Sequence, residues 1–145
     1  MEQAEIICQQ HGARLTPTRR AVLEKIWANH EATKAYDLIS QLSTQNETVK
    51  PPTVYRALDF LLAHGLIHRI ESLNAFVGCS HPQTPHQAIL LICKQCGDIQ
   101  EVADQQIRNR LQQISTEHAF ALQREMVELR GLCNHCQSQP DNNES

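Results

Sequence analysis

Two Cys-x-x-Cys pairs, Cys93/Cys96 and Cys133/Cys136, constrain this chain more than any other feature of its sequence. Each pair sets two sulfurs on one tight turn, aimed at one point. Two such pairs complete the tetrahedral S4 shell that a closed structural zinc site requires. Two disulfides, or a redox Cys-x-x-Cys, are the competing readings. A redox motif works with a single pair beside a βαβ pattern, and no such pattern is visible here. The pairs mark where a second domain is held together. With 145 residues, 41% of them hydrophobic, the chain suits one domain or two small ones. Small halves are marginal alone, so a metal staple or a partner subunit is expected.

The start, Met1 to Gly12, reads as a polar helix rather than a signal peptide. The longest apolar run, Ala88 to Cys93, is too short to span a membrane. The expectation is a soluble, cytoplasmic protein with no membrane partner, its thiols reduced and free to bind metal. Net charge is −3, which gives no bulk support for nucleic-acid binding. The excess is uneven: residues 1–71 carry eight basic and eight acidic side chains, and residues 72–145 carry five and eight. A neutral first half permits a local basic face, so any DNA reading has to come from motifs.

The first 65 residues read as helices. Glu2 to His11 is short, with Ile6 and Ile7 as its apolar contacts. Thr16-Pro17 is a helix start, with a hydroxyl at the N-cap and proline at the first helical position. Val22, Leu23, Ile26 and Trp27 follow at helical spacing. Thr33 is expected to cap a third helix with Tyr36, Ile39 and Leu42 on one side. Pro51-Pro52 opens a fourth, running to about His64 and stopped by Gly65. The period then changes, and residues 66–70 and 75–77 read as two strands around a turn at 71–74. Helices followed by such a hairpin spell a winged helix-turn-helix over residues 1–78. Residues 79–87, with Pro82 and Pro85, read as a hinge. Beyond it come strands at 88–93 and 97–102, a helix from Asp104 to about His118 with Ile107, Leu111 and Ile114 on one stripe, and a long strand from Phe120 to Leu129. Residues 88–136 form this second domain, and 137–145 read as a disordered tail. The fold class is α+β.

On the fourth helix, Val54, Leu58, Leu61 and Leu62 fall on one side and Tyr55, Arg56 and Asp59 on the other. Arginine contacts guanine in a bidentate fashion, and tyrosine reaches a phosphate or a thymine methyl. Thr53 on the same helix and Lys50 just before it complete the candidate DNA-facing set. Arg14, Arg19 and Arg20 flank the second helix start as further cations for phosphates or as solvated surface.

Other metal-ligand types remain once the paired cysteines are removed. Cys8 lies on an amphipathic helix and reads as a small buried apolar residue. His11, His30, His64 and His118 stand at helix ends, a common place for histidine without metal. His68, Cys79, His81, His86 and Glu101 differ, because they lie on the wing, the hinge and the strand after the first knuckle. A thiolate with imidazoles favours zinc over magnesium, calcium or manganese. Unrelated surface histidines are the alternative.

Arg14-Leu-Thr-Pro-Thr-Arg19, Pro52-Thr-Val-Tyr-Arg-Ala-Leu58, Cys93-x-x-Cys-Gly and Gly131-Leu-Cys-x-x-Cys136 together resemble the ferric uptake regulator family, from about residue 4 to 136. Lys50 to Leu62 and the wing His68-Arg-Ile-Glu-Ser-x-Asn74 are most similar to its zinc-sensing branch. The resemblance implies a homodimeric, zinc-responsive repressor of zinc-uptake genes that binds double-stranded operator DNA, with more than one dimer on an operator an open question. It implies two zinc ions per protomer: a structural one on Cys93, Cys96, Cys133 and Cys136, and a regulatory one on His68, Cys79, His86 and Glu101. It also implies that the second domain dimerises. The alternative on the same scaffold is a sensor of iron, manganese or peroxide. Cys79 counts against it, as does the single histidine of Pro85-His86-Gln87-Ala88-Ile89, where iron sensors carry several. An enzyme is not expected, since four protein ligands leave no open metal position and no nucleophile signature stands out.

Overall fold

Proline and a hydroxyl decide where the second helix begins. The computed structural model describes residues 1–29, 31–43, 48–79, 88–123 and 126–138. In it, Thr16 accepts the Arg19 backbone N–H at 3.3 Å and Pro17 opens α2, Pro17–Trp27, which follows α1, Glu2–Gln10. Next come α3, Ala35–Leu42, and α4, Pro51–Ala63. Gly65 ends α4 at φ +70, so that the Leu66 N–H reaches back to the Leu61 carbonyl at 3.0 Å. That left-handed turn favours glycine. It delivers the chain into β1, Ile67–Ile70, which pairs antiparallel with β2, Ala75–Gly78.

The core under these elements is built from Ala4, Ile7 and Cys8 of α1, Val22, Leu23 and Ile26 of α2, Leu38 of α3, and Val54, Leu58 and Leu61 of α4. Two expectations shift. Ile6 is 46% exposed, because the buried stripe of α1 runs through Ala4, Ile7 and Cys8. Thr33 does not cap α3: its backbone exchanges two 2.8 Å hydrogen bonds with Phe76, adding a bridge to the wing. Its side chain is buried and takes a hydrogen bond from Asn29. α3 therefore starts one residue later than a Thr33 cap would place it, with Lys34 at its N-cap, and its inward stripe is Ala35, Leu38, Ile39 and Leu42.

The chain divides into two compact units, Met1–Gln83 and Thr84–Ser145. Cys79, expected in the hinge, is tied to the first unit: it is buried and its N–H meets the Leu66 carbonyl at 3.1 Å.

In the second unit β3, Ala88–Cys93, is the central strand, with β4, Ile99–Val102, antiparallel on one side and β5, Met126–Gly131, parallel on the other. Ile89, Leu90 and Ile92 of β3 are buried, as the near-continuous apolar run of a central strand requires. Helix α5, Gln105–Glu117, starts at Asp104, whose carboxylate accepts two backbone N–H groups. Its predicted stripe is present and partly exposed, with Ile107 44% and Ile114 40% exposed. The expected strand from Phe120 begins only at Met126. The first residues of that segment close α5 instead: Ala119 sits at φ +53 and the Phe120 N–H bonds back to Ser115 at 2.8 Å. A short α6, Asn134–Gln137, takes Gln137 out of the expected tail. Among the described residues no helix is long and apolar enough to cross a membrane. The fold is α+β, a winged helix followed by a small α/β unit.

Candidate metal centres and nucleic-acid interface

Parallel pairing of β3 and β5 brings the two Cys-x-x-Cys knuckles together. Cys93 ends β3 opposite Gly131 of β5, and the Lys94 N–H crosses to the Gly131 carbonyl at 2.9 Å. Cys133 lies two residues on, as the N-cap of α6, which turns Cys136 back toward it. The four sulfurs lie within 4.8 Å of one another, and those of Cys96 and Cys133 are 3.8 Å apart. A Zn–S bond of about 2.3 Å in a tetrahedron needs sulfurs about 3.8 Å apart. A disulfide needs about 2.05 Å, and all these cysteines are free thiols.

The cluster is electrostatically unsettled as thiols. The N–H groups of Cys96 and Cys133 hold the Cys93 thiol down to about 6. Burial and then the neighbouring sulfurs push Cys136 up to about 12. Four thiolates cannot coexist here without a cation between them. A dication removes the remaining protons and satisfies the charge, so donor chemistry and spacing both fit zinc.

The wing hairpin carries a second donor pair. His68 on β1 stands opposite Val77, and Leu66 opposite Cys79, so His68 and Cys79 are diagonal neighbours on one face. A ring nitrogen of His68 and the Cys79 sulfur lie within 4.8 Å, with Cys79 8% exposed. Glu101 is on β4 of the second unit, opposite Leu90. His81 and His86 lie outside the described residues, as does His30. Of the remaining helix-end histidines, His11 sets its ring 5.3 Å from that of His64, and His64 and His118 cap their helices. Nδ1 of His64 meets the Phe60 carbonyl at 2.8 Å, and Nδ1 of His118 meets that of Ile114 at 2.9 Å. Cys8 is buried, its thiol pushed up by desolvation.

Helix α4 presents Thr53, Tyr55 and Arg56 to solvent, and Lys50 at its N-cap is exposed too. The sequence reading missed the exposure of Tyr36, placing it on one side of the helix with Ile39 and Leu42. It is 79% exposed and lines a cleft of about 230 Å³ with Tyr55, Lys34, Leu73 and Asn74. The missed signal is Ala35, which completes an i, i+3, i+4, i+7 stripe that leaves Tyr36 outside. Two of the three flanking arginines have internal work. Arg19 lies 3.7 Å over the Phe60 ring and donates to the Arg14 carbonyl, and Arg20 pairs with Glu5. Arg14 is exposed.

Residues 10–130 match the model of the ferric uptake regulator family. The chain is 39% identical over 137 residues to the zinc uptake regulation protein of Escherichia coli K12, covering 94% of this chain and 80% of that protein. Among solved structures it is similar to a zinc uptake regulator complexed with zinc and DNA, at 38% identity, covering 97% of this chain and 94% of the other, with a TM-score of 0.90. It is also similar to holo XcZur, at 39% identity, covering 94% and 96%, with a TM-score of 0.86.

Proposed function

The chain belongs to the ferric uptake regulator family, and on that premise we propose that it is a zinc-responsive transcriptional repressor that acts as a homodimer on operator DNA. The observation that carries the reading is the His68–Cys79 pair on the wing hairpin, which follows directly on a helix with Thr53, Tyr55 and Arg56 exposed. A thiol beside an imidazole selects zinc over the harder cations. The relatives' zinc and DNA complexes support the same choice.

We assign two zinc ions per protomer. Cys93, Cys96, Cys133 and Cys136 hold the structural one, and His68 and Cys79, with His86 and Glu101, hold the exchangeable one. Residues 1–78 form the reading domain, 79–87 the hinge and 88–136 the dimerisation domain. Zinc bound at the second site would supply a rigid node for the side chains that hold it. Those side chains lose freedom there, and ordering that is already complete need not be met again when DNA binds. DNA must then tighten zinc by the same factor, typically about 1–3 kcal/mol. In the dimer, Tyr55, Arg56, Lys50 and Thr53 of each protomer meet successive major grooves, about 34 Å apart.

The test is DNA binding titrated against free zinc, iron and manganese, using duplexes selected from a random library, with metal counted per protomer. One tight and one exchangeable zinc per chain, with DNA affinity following the second, is the expected result. Equal or better response to iron or manganese would make the chain a sensor of another metal.

A further inference from the structure

One backbone carbonyl in the reading unit accepts two hydrogen bonds from different elements. The Leu66 oxygen takes the Cys79 N–H at 3.1 Å and the indole N–H of Trp27 at 3.1 Å. Trp27 is the last residue of α2, and the backbone of Gly78 passes hard against its ring. A methyl group at position 78 would stand 2.5 Å from the indole Cδ1. Ile67 pairs with Gly78 across the hairpin, so residues 66–68 and 77–79 form one ladder. His68 and Cys79 project from that ladder on one face, within 4.8 Å of each other. Helix α2 shares buried Val22, Leu23 and Ile26 with Val54, Leu58 and Leu61 of α4. Contacts thus run without a break from the two donors, through Leu66 and Trp27, to the packing beneath the exposed face of α4.

We propose that Trp27 is a positioning residue for the exchangeable zinc site: it holds the rung between Leu66 and Cys79, and so fixes the Cys79 sulfur against His68. The proposal rests on the reading of His68 and Cys79 as ligands of that zinc. A ligand held by its supporting contacts is already placed when metal arrives, whereas a loosened one must be ordered at a cost in affinity. Trp27 is also the sole tryptophan. Its indole is one hydrogen-bonded carbonyl away from a ligand, so its emission should report whether the site is filled.

The experiment uses the full-length protein with its tight zinc loaded and its exchangeable site empty. Zinc is added against a chromophoric chelator while tryptophan emission is followed. Emission is expected to change saturably with occupancy of the second site, and Cys79→Ser is expected to abolish the change. Trp27→Phe keeps a ring but loses the donor. It should bind the exchangeable zinc about fivefold more weakly, the worth of one net hydrogen bond, with tight zinc and helix content unchanged. Gly78→Ala, whose methyl group would displace the indole, should also weaken it. Wild-type zinc affinity in Trp27→Phe, or flat emission while the site fills, would overturn the proposal. Undiminished exchangeable zinc in Cys79→Ser would instead remove the ligand assignment, and the proposal with it.

Discussion

Arg56 and Arg19 carry the same charge and have different duties. Arg56 is exposed on α4, while Arg19 lies over Phe60 at 3.7 Å and ties α2 to α4. Arg56→Ala should therefore weaken DNA binding by about 1–3 kcal/mol and relax sequence preference at one base, with the thermal midpoint unmoved. Arg19→Ala should do the reverse, lowering unfolding free energy by about 0.5–1 kcal/mol in a denaturant titration. A large loss of DNA specificity in Arg19→Ala would contradict this division. Tyr36→Ala belongs with Arg56, since Tyr36 is 79% exposed beside Tyr55. The sequence separates such cases poorly. An arginine's pattern does not say whether a ring lies beneath it, and a tyrosine beside an apolar stripe looks like part of the stripe. Cys79 stands out in the sequence as an unpaired thiol among histidines, and the structure buries it. Its pairing to Leu66 is a fact of the hairpin register.

Elements whose signals are local could be read from the chain, and elements fixed by distant partners could not. Thr16-Pro17 and Gly65 mark helix ends by their own stereochemistry, and both stand where expected. Thr16→Ala should cost about 1 kcal/mol of unfolding free energy through the lost cap. The start of β5 is different. It is set by parallel pairing with β3, while Ala119 and Phe120 are taken up by the end of α5. The knuckles were legible as a motif, but α6 beneath the second one was not. Four residues carry too little periodicity to announce a helix. Without metal, the β3–β5 junction would bring four sulfurs together with nothing to satisfy them. Cys93→Ser, or strong chelation, should melt the second unit and leave the first folded, as seen by loss of amide protection in residues 88–138 alone. Retained protection there with zinc gone would show that the sheet needs no staple.

Among its described residues the second unit leaves several large apolar side chains exposed. Helix α5 has no fully buried residue, and Ile107, Leu111 and Ile114 lie at i, i+4 and i+7 on one side. Phe120 beyond it is 65% exposed, and Leu129 on β5 is 51% exposed. A monomer that stays soluble rarely leaves so many large apolar groups uncovered in one small unit, and a second copy is the simplest cover, since a two-fold interface matches each stripe with itself. The proposed repressor makes the same demand from the other end, because two half-sites bind far better when joined than singly. Ile107→Glu with Ile114→Glu places charge on that stripe without touching the core of either unit. It should shift the protein from dimer to monomer in sedimentation at micromolar concentration. DNA affinity should fall at least a hundredfold, while each chain still takes up its tight zinc. A variant that remained a dimer with full DNA affinity would mean that α5 is covered by something other than a second copy, and that the dimer, if any, is built on another face.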